Sequence, residues 1–292
     1  MKSDPDFSLT AIILTTLAML AFAGNSILCR MALQDGAIDA ASFSNIRLLS
    51  GAIVLLLILV ARSDASALRG SGSWPSALML FLYAISFSFA YIDLGAGTGA
   101  LILFGLVQAT MIIAALIAGD KPTKGEAVGW LCATAGLVYL VLPGVEAPSP
   151  VGTVLMAIAG IAWGVYSNRG RNESDALAST SSNFVRAIVF IPLVLAFTFS
   201  SVELTTTGVL LAVASGGVTS GVGYVIWYAA LRHIRTIQAA LVQLSVPAIA
   251  ALGGVALLNE PLSRRLVISA GMILGGIAIA LMLKSSRKIQ PE

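Results

Sequence analysis

Ten stretches of mostly apolar residues follow one another along the chain, at 9–29, 40–61, 74–92, 95–118, 125–142, 150–168, 181–199, 206–231, 236–258 and 265–283. A helix needs about 20 such residues to cross a hydrocarbon core of roughly 30 Å. The connections between the stretches are short, and none can hold a soluble domain. The expected fold is therefore an all-α polytopic membrane protein with ten transmembrane helices. Ala21-Phe22-Ala23 in the first stretch mimics a signal-peptide cleavage site. Residues 1–7, however, hold one Lys and two Asp instead of a basic cluster, and the same kind of stretch recurs mid-chain. The first stretch is read as a span.

Composition agrees. Apolar residues make up 58% of the chain and charged residues 11%, against about 45–50% and roughly 25% in a soluble domain. A mean hydropathy of +0.94 leaves too few charges to coat a water-facing surface. The net charge of +3 comes without any basic run, which excludes a nucleic-acid partner. Cys29 and Cys132 sit in apolar runs with no second cysteine or histidine nearby, and read as small hydrophobes, not as a disulfide or metal site. Gly95-Ala96-Gly97-Thr98-Gly99 superficially resembles a phosphate loop, but no Gly-Lys-Ser/Thr follows, so nucleotide-driven transport is not expected. Neither a cofactor nor a metal is expected.

Basic residues orient membrane proteins, because short cytoplasmic loops carry an excess of Lys and Arg. With the N-terminus placed inside, Arg30, Arg264 and Arg265 fall outside and Arg47 and Arg186 lie within spans. All the remaining ones of the 17 Lys and Arg fall inside. Both termini are thus expected in the cytoplasm. A shift of 140 residues lays Asp120 on Glu260, Lys124 on Arg264, Gly136 on Gly276 and Gly24 on Gly164. A shift of 139 lays Arg47 on Arg186, and one of 135 lays Leu106-Val107-Gln108 on Leu241-Val242-Gln243. The chain divides into halves 1–145 and 146–292 with five spans each. Five is odd, so the second half enters the membrane upside down. Inverted repeats are a recurrent design of secondary transporters, with the solute site between the halves near the midplane.

These features resemble the drug/metabolite transporter superfamily, in particular its ten-helix members with two EamA-type domains. The resemblance rests on Ala23-Gly24-Asn25 and its partner Trp163-Gly164, on Arg47 and Arg186 early in spans two and seven, and on Gln243 with Pro247 in span nine. The turns Gly119-Asp120-Lys121-Pro122 and Asn259-Glu260-Pro261, each followed by a Gly-rich last helix, complete it. The first half departs from the pattern at Thr110-Met111-Ile112, where a proline is missing. The resemblance implies a cavity bounded by spans 1, 3, 4, 6, 8 and 9, peripheral last helices, and export across a bacterial inner membrane. Among the branches of the superfamily, the chain is most similar to the amino-acid exporters, including the aromatic amino-acid exporter group.

Polar groups inside a membrane are costly and usually face the bundle interior. Gln108 and Gln243 lie mid-span at equivalent places and offer amides suited to a zwitterion; the alternative is hydrogen bonding between helices. Thr236, Gln243, Pro247, Ala250 and Gly254 share one small, polar face of span nine, and Pro247 can kink it as a hinge. Asn25, Tyr83, Trp163 and Tyr224 are the further candidates for solute contact, since aromatic walls stack an apolar side chain while their polar tips orient it. Ser86 and Phe87 share the face of Tyr83, and Ser220 and Trp227 that of Tyr224. Arg47 and Arg186 lie a turn or so inside their spans. They either snorkel to the headgroups or form a gate pair with Asp93 or Glu260. His233, the single histidine, reads as a solvated loop residue. The small-residue pairs Gly160/Gly164, Gly217/Gly221 and Gly271/Gly275 are expected to let helices approach closely.

Span one holds no Asp or Glu, which disfavours export of cationic drugs, and no catalytic constellation supports an intramembrane enzyme. Other small metabolites, such as nucleosides, sugar derivatives or drugs, remain alternatives to amino acids. The expectation is a monomeric, multi-pass inner-membrane exporter of neutral and aromatic amino acids, working by alternating access, with the lipid bilayer and the solute as its partners.

Overall fold

Hydropathy and capping chemistry together set the helices. The computed structural model describes residues 9–62, 68, 70–119, 123–170, 173, 175–198, 202–234 and 236–287. Asp120, Lys2, Arg69, Lys121, Arg171, Arg235 and Lys288 lie outside the described residues. The first half contains α1 (Leu9–Gln34), α2 (Ala40–Ala61), α3 (Trp74–Asp93), α4 (Ala96–Ile117) and α5 (Lys124–Val141). The second begins with α6 (Pro150–Gly170). Its next span is α7 (Ala176–Ala187), a short 3₁₀ turn (Ile188–Phe190) and α8 (Ile191–Thr198). Then come α9 (Thr206–Val213), a π-helical segment (Ala214–Val222) and α10 (Gly223–Leu231), followed by α11 (Thr236–Gln243), α12 (Ser245–Leu258) and α13 (Arg264–Arg287).

Helix starts carry the side chains that a helix N-terminus demands. Asp39, Ser73, Asp175 and Thr205 accept from the backbone N–H three residues on. Thr123 and Glu126 form a reciprocal capping box at α5. Among the described residues, nine helical segments are long and apolar enough to cross a membrane. The exception among the expected spans is α5, which carries Lys124 and Glu126 in its first turn.

Three expected spans are interrupted, span seven by the 3₁₀ turn Ile188–Phe190. Span eight loosens into the π-helical segment where Ser215-Gly216-Gly217 and Gly221 fall. Span nine breaks at Leu244, whose N–H reaches back three residues to the Leu241 carbonyl. Pro247 has no N–H for the Gln243 carbonyl, and its ring crowds that turn, so the break falls where the proline requires it.

Helix pairing is reciprocal between the halves. Helix α3 packs on α6, and α10 packs on α1; α4 packs on α6, and α12 packs on α1. The π segment lies along α2 as α7 lies along α3, while α4 meets α12 and α5 meets α13. The pattern maps onto itself when each span is replaced by the one five places on. α5 and α13 pack chiefly against each other, away from the centre.

Small residues allow these approaches. Gly160 and Gly164 of α6 leave room for Leu106 and Thr110 of α4, and Gly129 and Gly276 face each other across α5 and α13. Gly271 and Gly275 face open space, so the close approach expected of that pair is made by Gly276 instead. Large apolar side chains such as Leu9, Leu57, Val60, Leu131 and Phe197 cover the outer surface, as lipid contact requires.

Candidate functional site

A cavity lies where both halves meet, between α1, α3, α4, α6, the π segment and α10. Phe22, Asn25 and Ser26 come from α1, Tyr83 and Phe87 from α3, Leu103 and Phe104 from α4, and Trp163 from α6. Thr219, Ser220 and Tyr224 complete the lining. It offers about 20 Å³ to water centres, enough for about one water molecule and too little for an amino acid.

Asn25 is the polar node. Its Nδ2 donates to Tyr83 Oη at 3.2 Å. Its Oδ1 accepts from Ser215 Oγ at 2.5 Å and lies 3.3 Å from Thr219 Oγ1, whose one proton is shared with the Ser215 carbonyl at 2.8 Å. One buried amide thus ties α1 to α3 and to the π segment. The node depends on glycine: Gly216 sits against the Arg47 carbonyl and Ser50 Oγ of α2, where a side chain would find no space.

A continuous aromatic wall runs on from the node through Tyr83. Phe87 and Tyr83 have centroids 5.3 Å apart, Tyr83 and Trp163 4.8 Å, Trp163 and Tyr224 5.3 Å, and Tyr224 and Phe22 5.9 Å. Trp163 also stacks at 5.4 Å on Tyr166. Tyr166 lines a second, polar cleft with Ser76, Glu173, Asn183 and Tyr228. The Trp163–Tyr166 pair therefore stands between the cavity and the end of the bundle where α3 begins.

Arg47 lies directly behind this wall, 2% exposed. Its Nη2 donates to Tyr83 Oη at 2.9 Å and its Nε to Ser220 Oγ at 3.4 Å. The guanidinium carbon lies 5.0 Å from the Tyr83 ring centroid and 4.9 Å from that of Phe87. Nη1 has no hydrogen-bond partner among the described residues. The ion pair they show is Arg30 with Glu260. Arg47 is thus neither snorkelled nor paired with Asp93 or Glu260.

Four of the six residues expected to touch solute, Asn25, Tyr83, Trp163 and Tyr224, come together in the cavity. Gln108 is buried one turn beyond Phe104 and does not line it. Gln243 donates within its own helix, to the Ala239 carbonyl at 3.4 Å, at the break before Pro247. Among the described residues, span nine contributes none to the lining. Trp227 packs on Phe22 without reaching the cavity. Phe22 and Ser26 were legible as the neighbours of Asn25 at helical spacing. Thr219 was not: regular α-helical spacing groups Ser220 with Tyr224 and Trp227, whereas π-helical spacing, with bonds five residues apart, groups Thr219 with Tyr224.

Bonds at the ends of the bundle frame the cavity. At one end, Arg30 Nε donates to Glu260 Oε1 at 3.1 Å, and Glu260 Oε2 accepts from Ala96 N at 2.8 Å. The glycine run expected to start α4 thus binds an anion after all, one supplied by the chain itself, at a helix N-terminus. Asp93 accepts from Ser149 Oγ. Arg265 donates to the Leu142 carbonyl at the end of α5 and lies over the Tyr139 ring, which accounts for a basic residue on that side. At the other end, Arg186 Nη1 donates to the Ser71 carbonyl at 2.8 Å and Ser182 Oγ at 2.7 Å, with its guanidinium 5.9 Å from the Trp74 ring.

Many membrane-length helices around a closed polar and aromatic chamber define a multi-pass membrane transporter. The family model for the EamA-like transporter family matches residues 150–282, beginning at the first residue of α6. A Pseudomonas aeruginosa protein, "Uncharacterized protein PA1977", is 48% identical over 277 residues, which is 94% of this chain and 96% of the relative. "Uncharacterized transporter YoaV" of Bacillus subtilis is 22% identical over 260 residues, covering 85% of this chain and 89% of that one. An "Uncharacterized transporter" of Archaeoglobus fulgidus is 24% identical over 193 residues, 64% and 68% of the two chains. A protein of known crystal structure superposes with a TM-score of 0.65 at 21% identity, over 94% of this chain and 98% of its own, and so shares the fold. The chain belongs to the EamA-like transporter family of the drug/metabolite transporter superfamily.

Proposed function

We propose that this transporter exports neutral amino acids with apolar or aromatic side chains across a bacterial inner membrane, by alternating access. The observation that carries the reading is the apposition, in one cavity, of the Asn25 node and the aromatic wall of Tyr83, Trp163 and Tyr224. Hydroxyls and an amide orient a polar head, and ring faces accept varied apolar bodies. The cavity is too small for an amino acid, so binding requires the helices around it to part. The reciprocal pairing of the spans supports halves 1–145 and 146–292 as inverted repeats, whose exchange of conformation opens the cavity to either side in turn. In this reading the break at Leu244 before Pro247 is the hinge of span nine. Arg186 and Arg30–Glu260 are latches at opposite ends, and both termini are cytoplasmic.

The test is counterflow in proteoliposomes. Vesicles preloaded with unlabelled phenylalanine or methionine are expected to accumulate the labelled species, and vesicles preloaded with lysine or glutamate to do so poorly. Exchange of charged or non-amino-acid metabolites in place of neutral amino acids would overturn the substrate reading. Reporter fusions in loops 65–71 and 145–149 are expected on opposite sides of the membrane. The same side for both breaks the inverted-repeat reading.

A further inference from the structure

The hydrogen-bonding inventory of the cavity is lopsided. Arg47 carries five N–H donors and no acceptor. Nε and Nη2 are each engaged once, and Nη1 has no partner among the described residues. Tyr83 Oη accepts from both Arg47 and Asn25, which occupies its two lone pairs and leaves its own proton to donate. The acceptors that remain are neutral hydroxyls and one amide oxygen: Asn25 Oδ1 takes Ser215, and Ser220 Oγ takes Arg47. Among the described residues no Asp or Glu lines the cavity. The one formal charge that this site offers a solute is positive, with unspent donors on it.

Resting on the transport reading above, we propose that the solute is held by its carboxylate, with Arg47 as anchor and Tyr83 as second donor. The substrate class is then monocarboxylates with an apolar or aromatic body, and the amino group is dispensable. A carboxylate has two oxygens with about four acceptor sites and matches a guanidinium edge. A sugar or nucleoside is uncharged and gains nothing from the Arg47 charge. A cation finds no carboxylate among the described lining residues and faces the Arg47 charge. The guanidinium lies over Tyr83 and Phe87, two lining rings, so a carboxylate entering between α2, α3 and the π segment meets it as the cavity widens. The rings of Trp163, Tyr224 and Phe22 then flank the rest of the solute.

The experiment measures thermal stabilisation of the detergent-solubilised protein by L-phenylalanine, 3-phenylpropanoate and phenethylamine. These share a ring and differ in the charged head. Wild type is expected to be stabilised by both carboxylates and not by phenethylamine. In Arg47→Gln the affinity for both carboxylates should fall by about 10- to 100-fold, the range for losing a hydrogen bond to a charged group. Arg47→Lys should recover part of it, and Tyr83→Phe should lose less than Arg47→Gln. If Arg47→Gln does not fold, the three ligands on wild type still decide. Stabilisation by phenethylamine equal to that by the acids overturns the anchor, as does unchanged affinity in a folded Arg47→Gln, or no response to either acid. Binding of phenylalanine without 3-phenylpropanoate overturns the dispensability of the amino group. Binding of 3-phenylpropanoate without phenylalanine keeps the anchor and removes the amino-acid reading instead.

Discussion

Arg47 and Arg186 occupy matching places in the two halves, 139 residues apart, and the protein treats them differently. Arg186 is tied at the bundle end through Nη1 to the Ser71 carbonyl and Ser182 Oγ, with its guanidinium over the face of Trp74. Arg47 is enclosed beside the cavity with Nη1 unpartnered among the described residues. A glycine lies against each. Gly72, at φ +68°, brings the loop before α3 up to Arg186 and Asn183, while Gly216 lets the π segment close over the backbone of Arg47. The difference teaches that a repeated residue need not keep a repeated role. Arg186 ties its elements at the end of the bundle; Arg47 bonds Tyr83 and Ser220 beside the chamber and keeps Nη1 unpartnered among the described residues.

The comparison breaks most directly at Arg47→Met. Counterflow should fall by about 10- to 100-fold, as expected when a charged contact to solute is removed. The melting temperature should stay level or rise, because an apolar side chain in place of a buried charge is often neutral or stabilising. A variant that unfolds would make Arg47 a structural residue like its counterpart. Gly216→Val should come next. Overpacking against the α2 backbone costs about 1–3 kcal/mol, read as a lower melting temperature together with weaker transport; a silent variant would mean that the π segment does not need this closeness.

Arg186→Met should show the opposite signature to Arg47→Met, losing about 1–2 kcal/mol of stability with its hydrogen bonds while the affinity for solute is unchanged. Lost affinity would place it functionally beside Arg47. Gly72→Ala should destabilise by about 1–2 kcal/mol, since a side chain is strained at positive φ and presses on Arg186; urea midpoints compared with wild type measure this. The smallest change is expected at Gln243→Leu, about 0.6 kcal/mol or less for one hydrogen bond in a membrane, with transport retained. Abolished counterflow there would return span nine to the site.

Much of the site was legible because it follows local spacing. Phe22, Asn25 and Ser26 share a face of α1, and Tyr83 and Phe87 share a face of α3. What sequence spacing missed has identifiable causes. The π segment shifts the register of span eight, so Thr219 enters the cavity and Trp227 leaves it. The break at Leu244 leaves Gln243 bonding within its own helix. Glu260 is carried back by the left-handed Asn259, at φ 54°, to Arg30 and the start of α4, a meeting of residues 230 positions apart.

The sequence by itself determined the helical membrane class, the limits of most spans and the matched arginines. Hydropathy, capping side chains and length act within one segment, and each segment must satisfy its own backbone in lipid. Tertiary structure alone decided which arginine was enclosed beside the cavity and which stayed at the end of the bundle. The enclosure of a charge depends on which helices close around it, and that closeness was set by Gly216 against α2 and by the Gly72 loop against Arg186, contacts between residues that no local pattern links.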